Sequence, residues 1–287
     1  MKLIPLFLLS ILSLFFSSPL YAIDNAKVNA QPTIKHYQVH ERYYYGRQLL
    51  ELALNREGIE YNIQGTQSFS MNEARGERLV ISGELDIQWM STNAERESKM
   101  IPIKIPIYRG ILGLRLLLIQ KERSAELSQI KSLNDLKKLT GAHGKHWADL
   151  SVYEANNLKV HALVEYEKLF KLLELGRVDY FHRGLNEIWG ELKQHNKTLA
   201  VADGVMLFYP HPVYFFVNKY KVDLANRIEQ GLLQALQDGS FKEHFLTYHS
   251  DFIEKGKLSE RRVIQLKNPD LPDNTPQIDT SWWLQTQ

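Results

Sequence analysis

Three arginines, Arg42, Arg96 and Arg183, each follow a segment that reads as a β-strand. A guanidinium stays charged inside a cleft and presents parallel N–H donors that match the two oxygens of a carboxylate. Tyr45 follows the first predicted strand of the chain and Trp89 lies at the end of the third, the strand before Arg96, and aromatic rings at such strand ends often form the walls of a ligand cleft. This combination predicts a small local site for a carboxylate-bearing solute.

A loop of residues 144–147, which contains His146 and Trp147, precedes a predicted helix. Backbone N–H groups at the start of a helix bind anions well, although the loop can also be read as a plain connection. His143 and His146 have H-x-x-H spacing, but no second ligand pair follows at a spacing typical of zinc sites. The sequence therefore predicts no metal and no cofactor.

Each of these residues has a structural alternative. Arg96 is flanked by two glutamates and can form a surface ion pair, which contributes little stability when exposed. Arg183 can pair with Glu187 across one helical turn. Trp89 and one of the tyrosines can be core packing, because aromatic residues at strand ends are often buried. The sequence leaves both interpretations open.

The composition is that of a folded protein of near-neutral charge. The 287 residues include 35 Lys and Arg against 33 Asp and Glu, a formal net charge of +2. Nucleic-acid binding needs a clustered excess of positive charge, so no nucleic-acid partner is predicted. There is no cysteine, which excludes disulfides, thiolate metal sites and a cysteine nucleophile.

The N-terminus reads as a secretory signal peptide. Met1 and Lys2 precede an apolar run over residues 3–16, and small residues follow up to Ala22. The run is shorter than the roughly 20 residues that a membrane-spanning helix needs. The sequence predicts a signal peptide over residues 1–22, cleavage after Ala22 and a periplasmic mature protein.

Predicted strands and helices alternate along the mature chain, a pattern typical of α/β folds with helices packed on sheets. About 265 residues correspond to two compact units at roughly 100–200 residues per domain. The predicted division gives residues 25–118 and 218–287 to a first lobe and residues 119–217 to a second.

Residues 83–115 contain an ordered set of motifs: Gly83 with Asp86, Thr92 with Arg96, and a Pro-Ile-Tyr segment at 106–108. The segment resembles the type 2 periplasmic solute-binding proteins of the family-3, amino-acid-binding group, and the resemblance continues over nearly the whole mature chain. It implies two lobes, each a mainly parallel sheet flanked by helices, joined by a two-strand hinge. It also implies that Arg96, in the turn that begins at Thr92, holds a ligand carboxylate. The resemblance further implies that the loop of residues 144–147, with His146 and Trp147, adds contacts to the ligand.

The sequence departs from that family after Asp179. Amino-acid binders commonly have a second aspartate five residues later for the ligand ammonium, whereas here the sequence continues Tyr-Phe-His-Arg-Gly, so that Arg183 brings a positive charge near that position. This difference favours a ligand with a second anionic group over a simple α-amino acid.

These observations predict a periplasmic protein that captures a small polar, carboxylate-bearing ligand by lobe closure for ABC-type uptake. The protein is predicted to be a monomer and not an enzyme, with a small molecule and a membrane permease or sensor as partners. Two alternatives remain at this point: a ligand-sensing subunit for a membrane receptor, and a periplasmic lyase or dehydratase. An enzyme would need an acid or base in the cleft, for which Glu95, Glu187 and His182 are candidates.

Overall fold

The computed structural model describes residues 31–66, 73–147 and 149–275. The predicted signal peptide, residues 1–22, lies outside the described residues. The strands are β1 (Thr33–His36), β2 (Asn62–Gly65), β3 (Ile87–Ser91), β4 (Met100–Ile103), β5 (Leu114–Gln120), β6 (Thr140–Gly144), β7 (Lys159–Leu163), β8 (Tyr180–Gly184), β9 (Leu199–Val201), β10 (Val205–Phe208), β11 (Val213–Asn218) and β12 (Arg262–Gln265). The helices are α1 (Tyr44–Leu54), α2 (Glu73–Ser82), α3 (Ala94–Lys99), α4 (Ser124–Leu127), α5 (Leu133–Leu136), α6 (Leu150–Ala155), α7 (Tyr166–Glu174), α8 (Ile188–His195), α9 (Val222–Asp238) and α10 (Ser240–Gly256).

One part of the molecule, which we call the first lobe, contains two small sheets. Strand β11 lies between β3 and β4 and runs antiparallel to both, while β1 and β2 form a parallel pair. Helices α1, α9 and α10 pack together beside them. The buried carboxylate of Asp86 joins these elements, because it accepts a hydrogen bond from the Lys35 amide at 2.6 Å and pairs with Lys221 at the start of α9.

The second lobe is built on a seven-stranded sheet with the strand order β12-β10-β5-β8-β6-β7, in which β9 also pairs with β5. The pairs β6–β7, β6–β8 and β10–β12 are parallel, whereas β5 runs antiparallel to β8, β9 and β10. Strand β8 is buried along its whole length, so its side chains contribute to the core on both faces. The predicted α/β fold class is confirmed.

Two segments, residues 104–113 and 209–212, run side by side between the lobes. The Ile107 amide donates to the Val213 carbonyl at 3.0 Å, and the Tyr209 amide donates to the Gly113 carbonyl at 3.2 Å. The chain passes between the lobes again after α10, where residues 257–261 lead into β12. The predicted lobe boundaries stay a prediction, and β12, inside the predicted first-lobe range, pairs with β10 of the second lobe.

A single large apolar cluster joins the two lobes. It includes Leu49 and Leu50 of α1, Leu116 of β5 and Leu169 of α7, all with no exposed surface. Apolar burial of this kind contributes most of the stability of a folded domain. Among the described residues, none of the helices combines the length and apolar character needed to cross a membrane.

Candidate functional site

Two adjoining cavities lie where β3 ends and the segment after β10 passes between the lobes. The first, which we call the polar cavity, has a volume of about 460 Å³ and is lined by residues of α3, α6 and the C-terminal segment. The second, the aromatic cavity, has a volume of about 520 Å³ and is lined mainly by residues of the first lobe. Ser91 and His211 line both cavities. Their volumes fall in the range of roughly 300–1,000 Å³ that is usual for small-molecule sites.

Trp89 is held at the end of β3 by a reciprocal pair of hydrogen bonds with Gln38. The Trp89 amide donates to Gln38 Oε1 at 2.9 Å, and Gln38 Nε2 donates to the Trp89 carbonyl at 2.8 Å. The indole packs on the first turn of α1, where a Cβ added to Gly46 would lie 2.5 Å from Trp89 Nε1. Trp89 is only 3% exposed, so it is a core residue that also lines the aromatic cavity.

Tyr45 lines the same cavity from α1. Its hydroxyl donates to the Ile107 carbonyl at 2.5 Å, which ties α1 to the segment between the lobes. The ring lies 4.9 Å from Tyr108 and 4.9 Å from His249, centroid to centroid. Burial raises the pKa of Tyr45 well above its ordinary value, so this hydroxyl stays protonated. The cavity wall is therefore aromatic and rigid.

Arg96 is positioned by the cap of α3. The Asn93 side chain accepts a hydrogen bond from the Arg96 amide at 2.8 Å, which is the standard N-cap interaction. The guanidinium donates to Glu73 at 2.7 Å, to Glu77 at 3.1 Å and to the Ser91 carbonyl at 2.6 Å. Arg96 lines the polar cavity with its charge already offset by two carboxylates.

Thr92 also lines the polar cavity and is 7% exposed. Its hydroxyl donates to Glu97 Oε1 at 2.7 Å, and its amide donates to the Pro212 carbonyl at 3.2 Å. These contacts fix the turn between β3 and α3 against the segment that follows β10. Thr92 and Arg96 therefore both line the polar cavity.

Asp149 reaches the polar cavity from the second lobe. Its carboxylate accepts hydrogen bonds from Arg115 at 2.9 Å and from the Tyr209 hydroxyl at 2.5 Å, and it lies 3.4 Å from His143 Nε2. Burial would raise the pKa of Asp149, but the charge of Arg115 outweighs it and holds the pKa well below its usual range. This carboxylate is ionised and already paired.

His211 stands where the two cavities meet. Burial and the nearby charge of Arg115 lower the pKa of His211 to about 4, so the imidazole is neutral at pH 7. The charges of Asp149, Arg96 and Asp270 act on the same ring. A neutral imidazole offers one donor and one acceptor to whatever occupies the cavities.

Arg183 is buried in the second lobe, with 7% of its side chain exposed. It donates to Glu191 at 2.6–2.9 Å and pairs with Glu187 at 3.2 Å. Its guanidinium also lies 4.7 Å from the Trp147 ring centroid and 5.0 Å from that of Phe181. Hydrogen bonding to Glu191 raises the pKa of Arg183 against the opposing effect of burial. The ion pair with Glu187 that the sequence left as an alternative is present.

The predicted site residues divide into two groups. Tyr45, Trp89, Thr92 and Arg96 line the cavities, whereas His146, Trp147 and Arg183 are not among the lining residues. His146 is exposed in the turn after β6, and Trp147 is half-buried against Phe181. The side chain of Arg42 lies outside what the structure describes. The ligand-binding role of each residue stays a prediction.

The acid and base candidates of the enzyme alternative are engaged in ion pairs or buried against other rings. Glu95 lines the polar cavity but pairs with Lys99 at the surface. Glu187 pairs with Arg183 and lies 3.6 Å from Arg115. His182 is 1% exposed and stacks on Tyr153. Among the described residues, no group of three or more histidines and carboxylates has the arrangement of a metal site.

Sequence reasoning missed three contributors to the cavities: Asp149, His211 and the C-terminal residues 268–271. Asp149 comes two residues after Trp147, next to the loop for which the sequence predicts ligand contacts. The prolines and the two tryptophans of the tail predict an extended segment anchored by Trp282 and Trp283, which lie outside the described residues. They do not predict where residues 268–271 lie, because that position depends on the long-range pairing of β12 with β10.

No family model matches the sequence, and no curated protein matches it. Solved structures with a similar fold include YckB from Bacillus subtilis, at 17% identity and a TM-score of 0.52, covering 75% of this chain and 88% of the other. Another is a protein assigned as a binding component of an ABC transporter from Wolinella succinogenes, complexed with lysine, at 16% identity and a TM-score of 0.52, covering 76% and 96%. These likenesses confirm the predicted two-lobed α/β fold class.

Proposed function

We propose, on the premise that the chain has the two-lobed fold of type 2 solute-binding proteins, that it captures a small polar ligand between its lobes. The observation that carries the proposal is the polar cavity, which Thr92 and Arg96 line from the first lobe and Asp149 from the second. A ligand that contacts both walls stabilises the closed arrangement, because it binds that arrangement more tightly than one in which the walls are apart.

Arg96 is the proposed anchor for a ligand carboxylate. Its Nη2 atom is paired with Glu73, whose side chain is 51% exposed and can turn away into solvent. A ligand carboxylate in that place would keep the charge-assisted hydrogen bond and add contacts from the opposite wall. The aromatic cavity next to it would take the less polar part of the ligand against Tyr108 and Trp89.

The protein would act in the periplasm, as the predicted signal peptide indicates, and hand its ligand to a membrane permease for uptake. A sensing role with a membrane receptor requires the same cleft and differs only in the partner. Binding without turnover is expected in both roles, so a ligand incubated with the protein should be recovered unchanged. His146, Trp147, Arg183 and Arg42 stay predicted contacts for a more tightly closed arrangement.

A thermal-shift screen of amino acids, dicarboxylates, short peptides and other small metabolites tests the proposal. Ligand that binds the native state raises its apparent stability by RT ln(1 + [L]/Kd), about 2.7 kcal/mol at 100 times Kd. We expect at least one compound to raise the melting temperature in a concentration-dependent way. A screen in which no compound does so would contradict the proposed function.

Arg96→Ala should weaken the binding of a carboxylate ligand identified in that screen by about 2 kcal/mol or more, because a charge-assisted hydrogen bond is lost. Isothermal titration calorimetry measures the change. Glu77 and Glu73 lose a partner in the same variant, so its urea unfolding is measured alongside. Unchanged affinity in a folded Arg96→Ala protein would remove Arg96 from the site.

A further inference from the structure

The C-terminal strap, which we define as residues 266–275, follows β12 along the second lobe. The Leu266 amide donates to the Phe208 carbonyl at 2.8 Å, so the pairing with β10 continues past the end of the strand. Lys267 and Asn156 bond reciprocally, at 3.0 Å and 2.8 Å, and Asn268 Nδ2 donates to the Pro210 carbonyl at 2.8 Å. This part of the strap is fixed by several backbone contacts.

The far end of the strap contacts the first lobe. Lys104, directly after β4, donates from Nζ to Asn274 Oδ1 at 3.0 Å and to the Asn274 carbonyl at 3.3 Å. Between the two attachments, Asp270 hydrogen bonds with the Ser151 hydroxyl of α6. The strap therefore extends from the second lobe to the first.

Residues 268–271 of the strap line the polar cavity together with Thr92 and Arg96. The charged side chains on the other walls of the cavity already have partners of opposite charge. Arg96 pairs with Glu73 and Glu77, and Asp149 pairs with Arg115. The cavity thus has polar walls with little net charge until the strap is added.

Asp270 adds a carboxylate that forms no ion pair with any described residue. Its one side-chain hydrogen bond within the described chain is with the neutral Ser151 hydroxyl. His211, the neighbouring titratable group in the cavity, is neutral at pH 7 and provides no positive charge. The carboxylate is exposed at the mouth of the cavity and is free to accept a charged donor from a ligand.

We propose that the C-terminal strap is a wall of the ligand site and that Asp270 binds a positively charged group of the ligand, an ammonium or a guanidinium. A ligand held by Arg96 through a carboxylate would then present its cationic group to the strap. This inference rests on the proposed function, because it assigns a ligand chemistry to the same cleft. It places the ammonium-binding carboxylate on the tail, whereas the position five residues after Asp179 is Gly184, next to the buried Arg183.

Calorimetric titration of the mature protein with L-lysine, L-arginine, putrescine and succinate tests the inference. We expect the three cationic probes to bind and succinate, which has no cationic group, to bind weakly or not at all. In Asp270→Asn, the affinity for the tightest cationic probe should fall at least tenfold, and the remaining affinity should depend less on salt concentration. Asp273→Asn is the matched control, because it removes the same charge from an exposed strap residue that does not line the cavity, and its affinity should stay within twofold of wild type.

Three results would overturn the inference and leave the proposed function intact. The first is a cationic probe that binds Asp270→Asn as tightly as wild type, and the second is tighter binding of succinate than of the cationic probes. The third is a ligand found in the thermal-shift screen when none of the cationic probes binds. If none of the probes binds and the wider thermal-shift screen also finds no ligand, the proposed function itself fails and the inference fails with it. Circular dichroism and urea unfolding of both variants confirm that they are folded.

Discussion

Arg183 illustrates how a charged residue near a predicted site can serve the fold. Its guanidinium is bonded to Glu191 and stacked among aromatic rings, and only 7% of the side chain is exposed. Removal of one partner from a buried ion pair leaves an uncompensated charge and costs about 3–5 kcal/mol. We therefore expect Arg183→Met to lower the free energy of unfolding by several kcal/mol in urea titrations. Retained stability together with lost ligand affinity would instead support the role in ligand binding.

The buried histidines make stability depend on pH. Burial lowers the pKa values of His36, His211 and His249 to about 4, below the ordinary value of 6.5. Between pH 6.5 and 4 the unfolded chain binds protons that the native histidines do not, so the free energy of unfolding falls as the pH falls, by about 1.4 kcal/mol per pH unit for each histidine.

His249→Phe should reduce the pH dependence of the free energy of unfolding by the contribution of one histidine, about 1.4 kcal/mol per pH unit. His249 is 6% exposed, and neither of its ring nitrogens has a hydrogen-bond partner among the described residues, so an apolar ring of similar shape fits the position. Urea unfolding at pH 7.0 and 5.0 measures the difference for wild type and variant. An identical pH dependence in the two proteins would show that His249 does not titrate as its burial indicates.

At the scale of elements, the contact between α1 and β3 sets the shape of the aromatic cavity. A Cβ at Gly46 would come within 2.5 Å of Trp89 Nε1, so Gly46→Ala must displace the indole or the first turn of the helix. Overpacking of this kind costs about 1–3 kcal/mol, which should appear as a lower midpoint of urea unfolding and altered tryptophan fluorescence.

Gly190→Ala on α8 is the matched control for that substitution. Apart from its chain neighbours and the backbone of its own helix, no heavy atom lies within 4 Å of a Cβ added to Gly190, so only the helix propensity changes there. Alanine is favoured over glycine inside a helix by about 1 kcal/mol, and this variant should be slightly more stable than wild type. Equal effects of the two substitutions would mean that α1 tolerates a side chain against Trp89.

At the scale of the whole molecule, the strap links the lobes through Lys104. Lys104→Met removes both hydrogen bonds to Asn274, and also the ion pair with Glu97 at 2.8 Å. We expect the amides of residues 267–275 to exchange hydrogen for deuterium several-fold faster, because the hydrogen bonds that then remain between the strap and other described residues are with the second lobe and the segment that follows β10. The amides of β11 should keep their protection. Lys99→Met, which removes a surface pair with Glu95, serves as control, and unchanged strap exchange in Lys104→Met would contradict the linkage.

The sequence by itself determined the α/β class, because alternating strands and helices are a local pattern, and its resemblance to solute-binding proteins indicated Thr92 and Arg96. Both residues line the polar cavity, and their role in ligand binding stays a prediction. The partners of each charge depended on tertiary structure, since Glu191 neutralises Arg183 and Glu73 neutralises Arg96 only after distant segments pack. The same is true of Asp270, which reaches the cavity because β12 pairs with β10 more than fifty residues earlier in the chain. Local periodicity carries no information about such pairing, because backbone hydrogen bonds between strands are independent of side-chain identity.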